Sequence, residues 1–185
     1  NSLLATVSQT AIAFFGIYFK LQSFIYMPAN GLIQGMRPLI SYNYGARHFD
    51  RVKKIIKVSI ISTAVILCCG TIIFMGLPEL VLSWFNATEQ LLEIGIIGLR
   101  VISPCFILST MGVVISGVFE SLGKGRQSLT ISLLRQFIIT LPLAYILLKV
   151  IGLNGIWLSF VIAEGIASVI AVILIKKELH NFKVD

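Results

Sequence analysis

The sequence predicts an all-α membrane protein, a polytopic bundle of transmembrane helices, and three observations carry that prediction. Five apolar stretches follow one another with little polar sequence between them, and the clearest, Val58 to Pro78 (VSIISTAVILCCGTIIFMGLP), holds no charged side chain. A bilayer core of about 30 Å needs about 20 apolar residues in helical conformation. Hydrophobic residues make up 57% of the chain and charged ones 12%, a balance that excludes disorder and does not suit a soluble domain. The charges, finally, are concentrated between the stretches. Five such stretches in 185 residues are too many to be hidden inside one another, so lipid must cover them.

Taken in chain order, residues 1–10 read as the tail of a partial span, and the apolar start at Asn1 reads as a cut through a helix of a longer protein. Residues 11–44 form the first full span, with Pro28, Gly31, Gly35 and Pro38 predicting a bend. Such residues are tolerated in membrane helices where neighbours or water satisfy the freed carbonyls. Gly45 is expected to make the turn that follows. Residues 52–77 form the second span, closed by Pro78, and a short loop leads to a third over residues 87–119. SLGKGRQ is a tight turn by composition. Residues 127–150, with a kink expected at Pro142, and residues 153–176 form a final hairpin joined by IGLNG. The domain reading is one transmembrane unit over residues 1–185, five full spans and one partial.

A net charge of +7 raises the question of nucleic acid, and its distribution answers it. Arg47, Arg51, Lys53, Lys54 and Lys57 form one cluster, Lys124 and Arg126 a second, Lys176, Lys177 and Lys183 a third. Apolar spans separate them, so no continuous basic face exists to follow a phosphate backbone. The clusters follow every second span, the pattern the positive-inside rule predicts for cytoplasmic segments. The segments between them, PELVLSWFNATEQLLE and VIGLNG, then face outward, and the C-terminus is cytoplasmic. Cys68, Cys69 and Cys105 have neither disulfide nor zinc spacing and read as packing residues. No Walker loop, HExxH, GxSxG or metal-spaced cluster of His and carboxylates occurs, so the chain reads as a non-enzyme without a metal site or cofactor.

Ionisable and polar residues inside spans are costly in lipid and are the functional candidates. They are Lys20, Arg37, Arg100, Arg135 and Glu164, with Gln22, Asn30, Gln34 and Gln136 as polar companions. Arg135 is roughly 12 Å in from the cytoplasmic boundary and Glu164 roughly 16 Å in from the outer one at helical rise, which brings both near one level. Two readings stand: an ion pair that only fastens the hairpin, or a carboxyl at Glu164 that exchanges a proton or meets a cationic substrate. Arg100, about three turns into its helix, is a candidate to line a cavity, while Lys20 is placed to snorkel. Asn30 and Gln34 share a helical face at i, i+4 spacing, to bond either a substrate or neighbouring backbone. With no ATP-binding motif, a gradient-driven secondary transporter is the function class these groups suit.

Particular stretches carry a resemblance. Met27 to Lys54, with Gly31, Gln34, Gly35, Pro38 and the run Tyr42 to Ala46, resembles the end of the eighth helix of multidrug and toxin extrusion (MATE) transporters. Phe119 to Leu147 is similar to that family's join between helices ten and eleven, and GLNGIWLSFVIAEGIASVIAVILIKKEL to its last helix. The resemblance implies a parent of two six-helix lobes, with this chain as the C-terminal lobe and the N-terminal lobe as its missing partner. It implies Na⁺- or H⁺-coupled antiport of amphipathic or cationic drugs across the plasma membrane by alternating access. The coupling carboxylate that some members hold in the tenth helix has no counterpart in VISPCFILSTMGVVISGVF, so coupling chemistry is expected mainly on the missing part, and the isolated chain is expected not to transport. The alternative is a lipid-linked oligosaccharide flippase of the related superfamily, whose cavity would use Arg37, Arg100 and Arg135 to hold pyrophosphate.

Overall fold

Residues 9–182 are described in the computed structural model of the chain. They form eight α-helices and one π-helical turn: α1 Gln9–Gly45, α2 Phe49–Gly76, α3 Pro78–Ser83, α4 Glu89–Ile102, α5 Pro104–Ser121, α6 Gly125–Leu133, the π turn Leu134–Ile138, α7 Thr140–Ile151 and α8 Leu153–Asn181. Among the described residues five helical segments are long and apolar enough to cross a membrane: α1, α2, α5, the run Gly125–Ile151 and Leu153–His180. Phe24, Ile61, Ile72, Val169 and Ile173 are all more than half exposed on these helices. An apolar surface of that extent is tolerated in lipid and not in water.

The helix α5 sits at the centre, packed against α1, α2, α6 and α8, while α7 and α8 form the expected hairpin. Two clusters of buried side chains fill the bundle. One is aromatic: Phe14 of α1 meets the fully buried Trp157 of α8 edge-on at 5.1 Å between ring centroids, a favoured geometry. Gly95 and Gly98 make room for Phe14, since a Cβ at Gly98 would overlap its ring. Close approach over small residues is how membrane helices gain contact without a hydrophobic driving force. The second cluster joins Ile33, Met36 and Ile40 of α1 to Val114, Ile115 and Phe119 of α5.

Several elements depart from the expectations. Residues 1–8 of the expected partial span lie outside the described residues, and Gln9 and Thr10 are the first turn of α1. The expected third span is two helices, because Pro104 has no N–H to give and interrupts the ladder at Ser103. The expected loop after Pro78 is the short helix α3, with Pro78 as its first residue and Val81 and Leu82 buried. At the α1–α2 turn Gly45 is still helical, and Arg47 takes the left-handed conformation (φ 58°) instead. The disturbance expected at Pro142 falls before it: Pro142 is the third residue of α7, and the turn it follows is the π turn.

Polar groups at one end of the bundle pair with one another. Lys124 Nζ donates to both carboxylate oxygens of Glu178 at 2.6 Å. Glu120 accepts from Arg37 and from the Ser128 hydroxyl (2.8 Å). Phe182 stacks on Phe49 at 4.9 Å and lies against Tyr44, closing the end of α8 onto the α1–α2 turn.

Candidate functional site

A cavity of about 730 Å³ lies where the middle of α1 faces α5 and the π turn. Its α1 wall carries Gln22, Ser23, Tyr26, Met27, Asn30, Gly31 and Gln34. These recur at three- and four-residue intervals, so they form one helix face. Val113 comes from α5, and Arg135 and Gln136 from the π turn. Asn30 and Gln34, expected on one face, both line the cavity and make no side-chain hydrogen bond among the described residues. Their amides are therefore free to meet a solute.

Arg135 and Glu164 are brought together. The Arg135 Nε donates to Glu164 Oε1 at 3.0 Å, and Nη2 lies 3.0 Å from the same oxygen. Both side chains are largely buried, 18% and 13% exposed, so the pair is shielded from water and salt. Glu164 Oε2 is buried and makes no hydrogen bond. Arg135 reaches the cavity past Gly112, where an added Cβ would come within 3.3 Å of Arg135 Cδ. The Tyr26 hydroxyl, on the opposite wall, donates to Ser109 Oγ at 2.6 Å.

The π turn is what aims Arg135. A π-helical turn inserts one residue into the helical repeat and changes which side chains face inward. The Thr140 hydroxyl donates to the Arg135 carbonyl, one of the backbone groups that the irregular ladder would otherwise leave to lipid. Thr140→Val, which keeps shape and removes the hydroxyl, is expected to cost about 1 kcal/mol. Thermal unfolding of the variant in detergent micelles checks this.

The other candidates lie elsewhere. Arg100 is exposed and borders a separate depression with Leu77, Glu79 and Ser83, away from Arg135, so it does not line the main cavity. Its depth in the sequence misled because α4 ends at Ile102 and packs beside the short α3. Arg37 is tied to Glu120. The three arginines that a pyrophosphate site would need are thus dispersed. Sequence reasoning passed over Tyr26, Ser23, Gly112 and Thr140. The first two continue the stripe of Asn30 and Gln34 one turn back, a signal that was present; the roles of Gly112 and Thr140 exist only once helices are packed.

Comparison with known proteins gives a consistent picture. The family model described as MatE matches residues 1–146. The multidrug export protein MepA of Staphylococcus haemolyticus (strain JCSC1435) is 31% identical over 186 residues, covering all of this chain and 40% of that protein. MepA of Staphylococcus aureus (strain MSSA476) is 30% identical, with 41% of its length covered. The chain therefore spans about two fifths of the relatives it matches. Among solved structures, an outward-facing multidrug resistance MATE transporter superposes with TM-score 0.93 at 19% identity, over 99% of this chain and 42% of that one. A MOP superfamily transporter from Pyrococcus furiosus superposes with TM-score 0.89 at 20% identity, over 95% of this chain and 40% of that one.

Proposed function

This chain belongs to the MatE family, and we propose from that premise that it forms the C-terminal transmembrane lobe of a multidrug exporter in the plasma membrane. The lobe works with an N-terminal lobe of the same protein, rocking against it to open a shared cavity to each side in turn, as repeat-built carriers do. Export is driven by antiport of Na⁺ or H⁺, and the substrates are amphipathic or cationic drugs. The C-terminus and the Arg47–Lys57 cluster are cytoplasmic, in keeping with the positive-inside rule.

The observation that carries this reading is the cavity on α1, walled by free amides and bordered by a buried ion pair on an irregular turn. Amides and hydroxyls adapt to many solutes, and Met27 and Tyr26 supply apolar and aromatic surface to a drug's body. Asn30, Gln34 and Arg135 are the proposed substrate contacts, with Glu164 behind Arg135 as the group through which ion binding acts on it. Arg100, in its separate depression, is not among the proposed contacts.

Reconstitution tests the proposal. The complete transporter in proteoliposomes is expected to move ethidium against its gradient when a Na⁺ or H⁺ gradient is imposed, and to stop when an ionophore collapses it. Ethidium movement indifferent to both gradients would sink the antiport reading. Asn30→Ala with Gln34→Ala is expected to raise the apparent KM for ethidium several-fold, about 0.5–1.5 kcal/mol for each lost hydrogen bond, at unchanged membrane abundance.

A further inference from the structure

The cavity on α1 is charged on one side only. Its lining holds six neutral amide or hydroxyl side chains on α1 and the π turn, and no carboxylate among the described residues. Its one charged group is the guanidinium of Arg135. Glu164 balances that charge from outside the lining and through one oxygen only: Nε and Nη2 both address Oε1. Nη1 makes no hydrogen bond among the described residues. The other ionic groups of the surrounding helices are engaged or distant. Arg37 and Glu120 hold each other, and Lys176 borders a different depression.

We propose that Arg135 selects ligands that carry a carboxylate, so that this lobe binds the acidic end of zwitterionic amphiphiles while their apolar body lies on Tyr26 and Met27. The inference rests on the reading of this cavity as part of an export pathway. A guanidinium fixed along one edge by Glu164 presents its remaining N–H groups in a plane suited to a carboxylate. Gln136, its neighbour on the π turn, supplies a further donor. In a site partly withdrawn from water such a contact is stronger than on an open surface. Glu164 acts here as a positioning residue, since it touches Arg135 and does not line the cavity.

Rhodamine B and its ethyl ester differ by that carboxylate alone, and fluorescence polarisation reads the binding of each to the complete transporter in detergent. The double variant Arg135→Gln/Glu164→Gln removes both charges and leaves neither buried group alone. It is expected to weaken rhodamine B binding by about tenfold or more, the worth of a charge-assisted hydrogen bond, and ester binding by less than about twofold. Arg135→Lys, which keeps the charge without the fork, is expected to fall between. Retained ester binding reports a folded site. Equal loss of both dyes, or loss of neither, overturns the proposal. A wild-type transporter that exports ethidium while the variants treat both dyes alike leaves the export reading standing; failure to move ethidium removes that reading itself.

Discussion

Glu164→Ala is expected to lower the stability of the bundle by about 3–5 kcal/mol, the cost of leaving a buried charge without its partner. Arg135 would then keep its charge on a largely buried side chain, with only the edge that lines the cavity left to meet water. Phe137 and Ile138, on the same turn, are more than half exposed on the apolar surface, so the helix cannot turn to hydrate Arg135 further without moving them. Arg135→Gln/Glu164→Gln removes both charges and is expected to be nearly neutral, because the pair's attraction largely repays its desolvation. A double-mutant cycle built from Arg135→Gln and Glu164→Gln, read by unfolding in micelles, should therefore show coupling of about 3 kcal/mol or more, at or above the top of the range found for residues in contact. Additive losses would mean that the two side chains are stabilised separately. The ion pair Lys53–Asp50 at 3.5 Å is the control, since Asp50 is fully exposed. Asp50→Asn is expected to change nothing measurable.

That contrast also explains what the sequence made legible. That the chain is helical with five membrane-crossing segments was readable because length and hydropathy alone decide whether a segment can cross lipid. The Arg135–Glu164 pair was readable for a similar reason. Two charges on consecutive antiparallel helices, counted inward from opposite ends at helical rise, come to one level, and lipid leaves them little choice of partner. Asn30 and Gln34 were readable as a shared face because polar side chains are rare enough there to make a stripe.

What the sequence hid was which apolar face meets which. In a soluble helix, periodicity separates core from surface; in α8, which is apolar all round, it does not. Trp157 and Ala163 are fully buried while Ile173 is 61% exposed, yet all are apolar. Arg100 illustrates the same limit. Its distance from the helix end was counted correctly, but the break at Ser103 and the packing of α4 beside α3 turned it away from the cavity. The π turn was hidden too. Pro142 announced an irregularity, but a proline withdraws its bond from the carbonyl four residues earlier, so the distortion appears a turn before the residue that causes it.

Gly155→Leu is expected to prevent the α7–α8 hairpin from closing, at a cost of about 3 kcal/mol or more, the upper part of the range for overpacking. An added Cβ at Gly155 would overlap the Leu147 carbonyl oxygen and lie 2.5 Å from its carbon. These are backbone atoms, which have no rotamer to escape into. At Gly98 the obstacle is the ring of Phe14, which has side-chain torsions through which to give. Gly70 is milder again, since the Ile25 side chain it faces is partly buried and flexible at its end. The order of damage should therefore be Gly155, then Gly98, then Gly70 for the same substitution. The hairpin also sets the level of Glu164 against Arg135, because Gly152 (φ 74°) and Gly155 fix where α8 starts beside α7. Displacing that start by one Cβ separates the ion pair from a position nine residues away. Gly155→Leu should consequently erase most of the coupling measured between Arg135 and Glu164, while Gly70→Leu leaves it intact. If unfolding in micelles gave the same coupling in both backgrounds, the hairpin contact would not be what holds the pair in register.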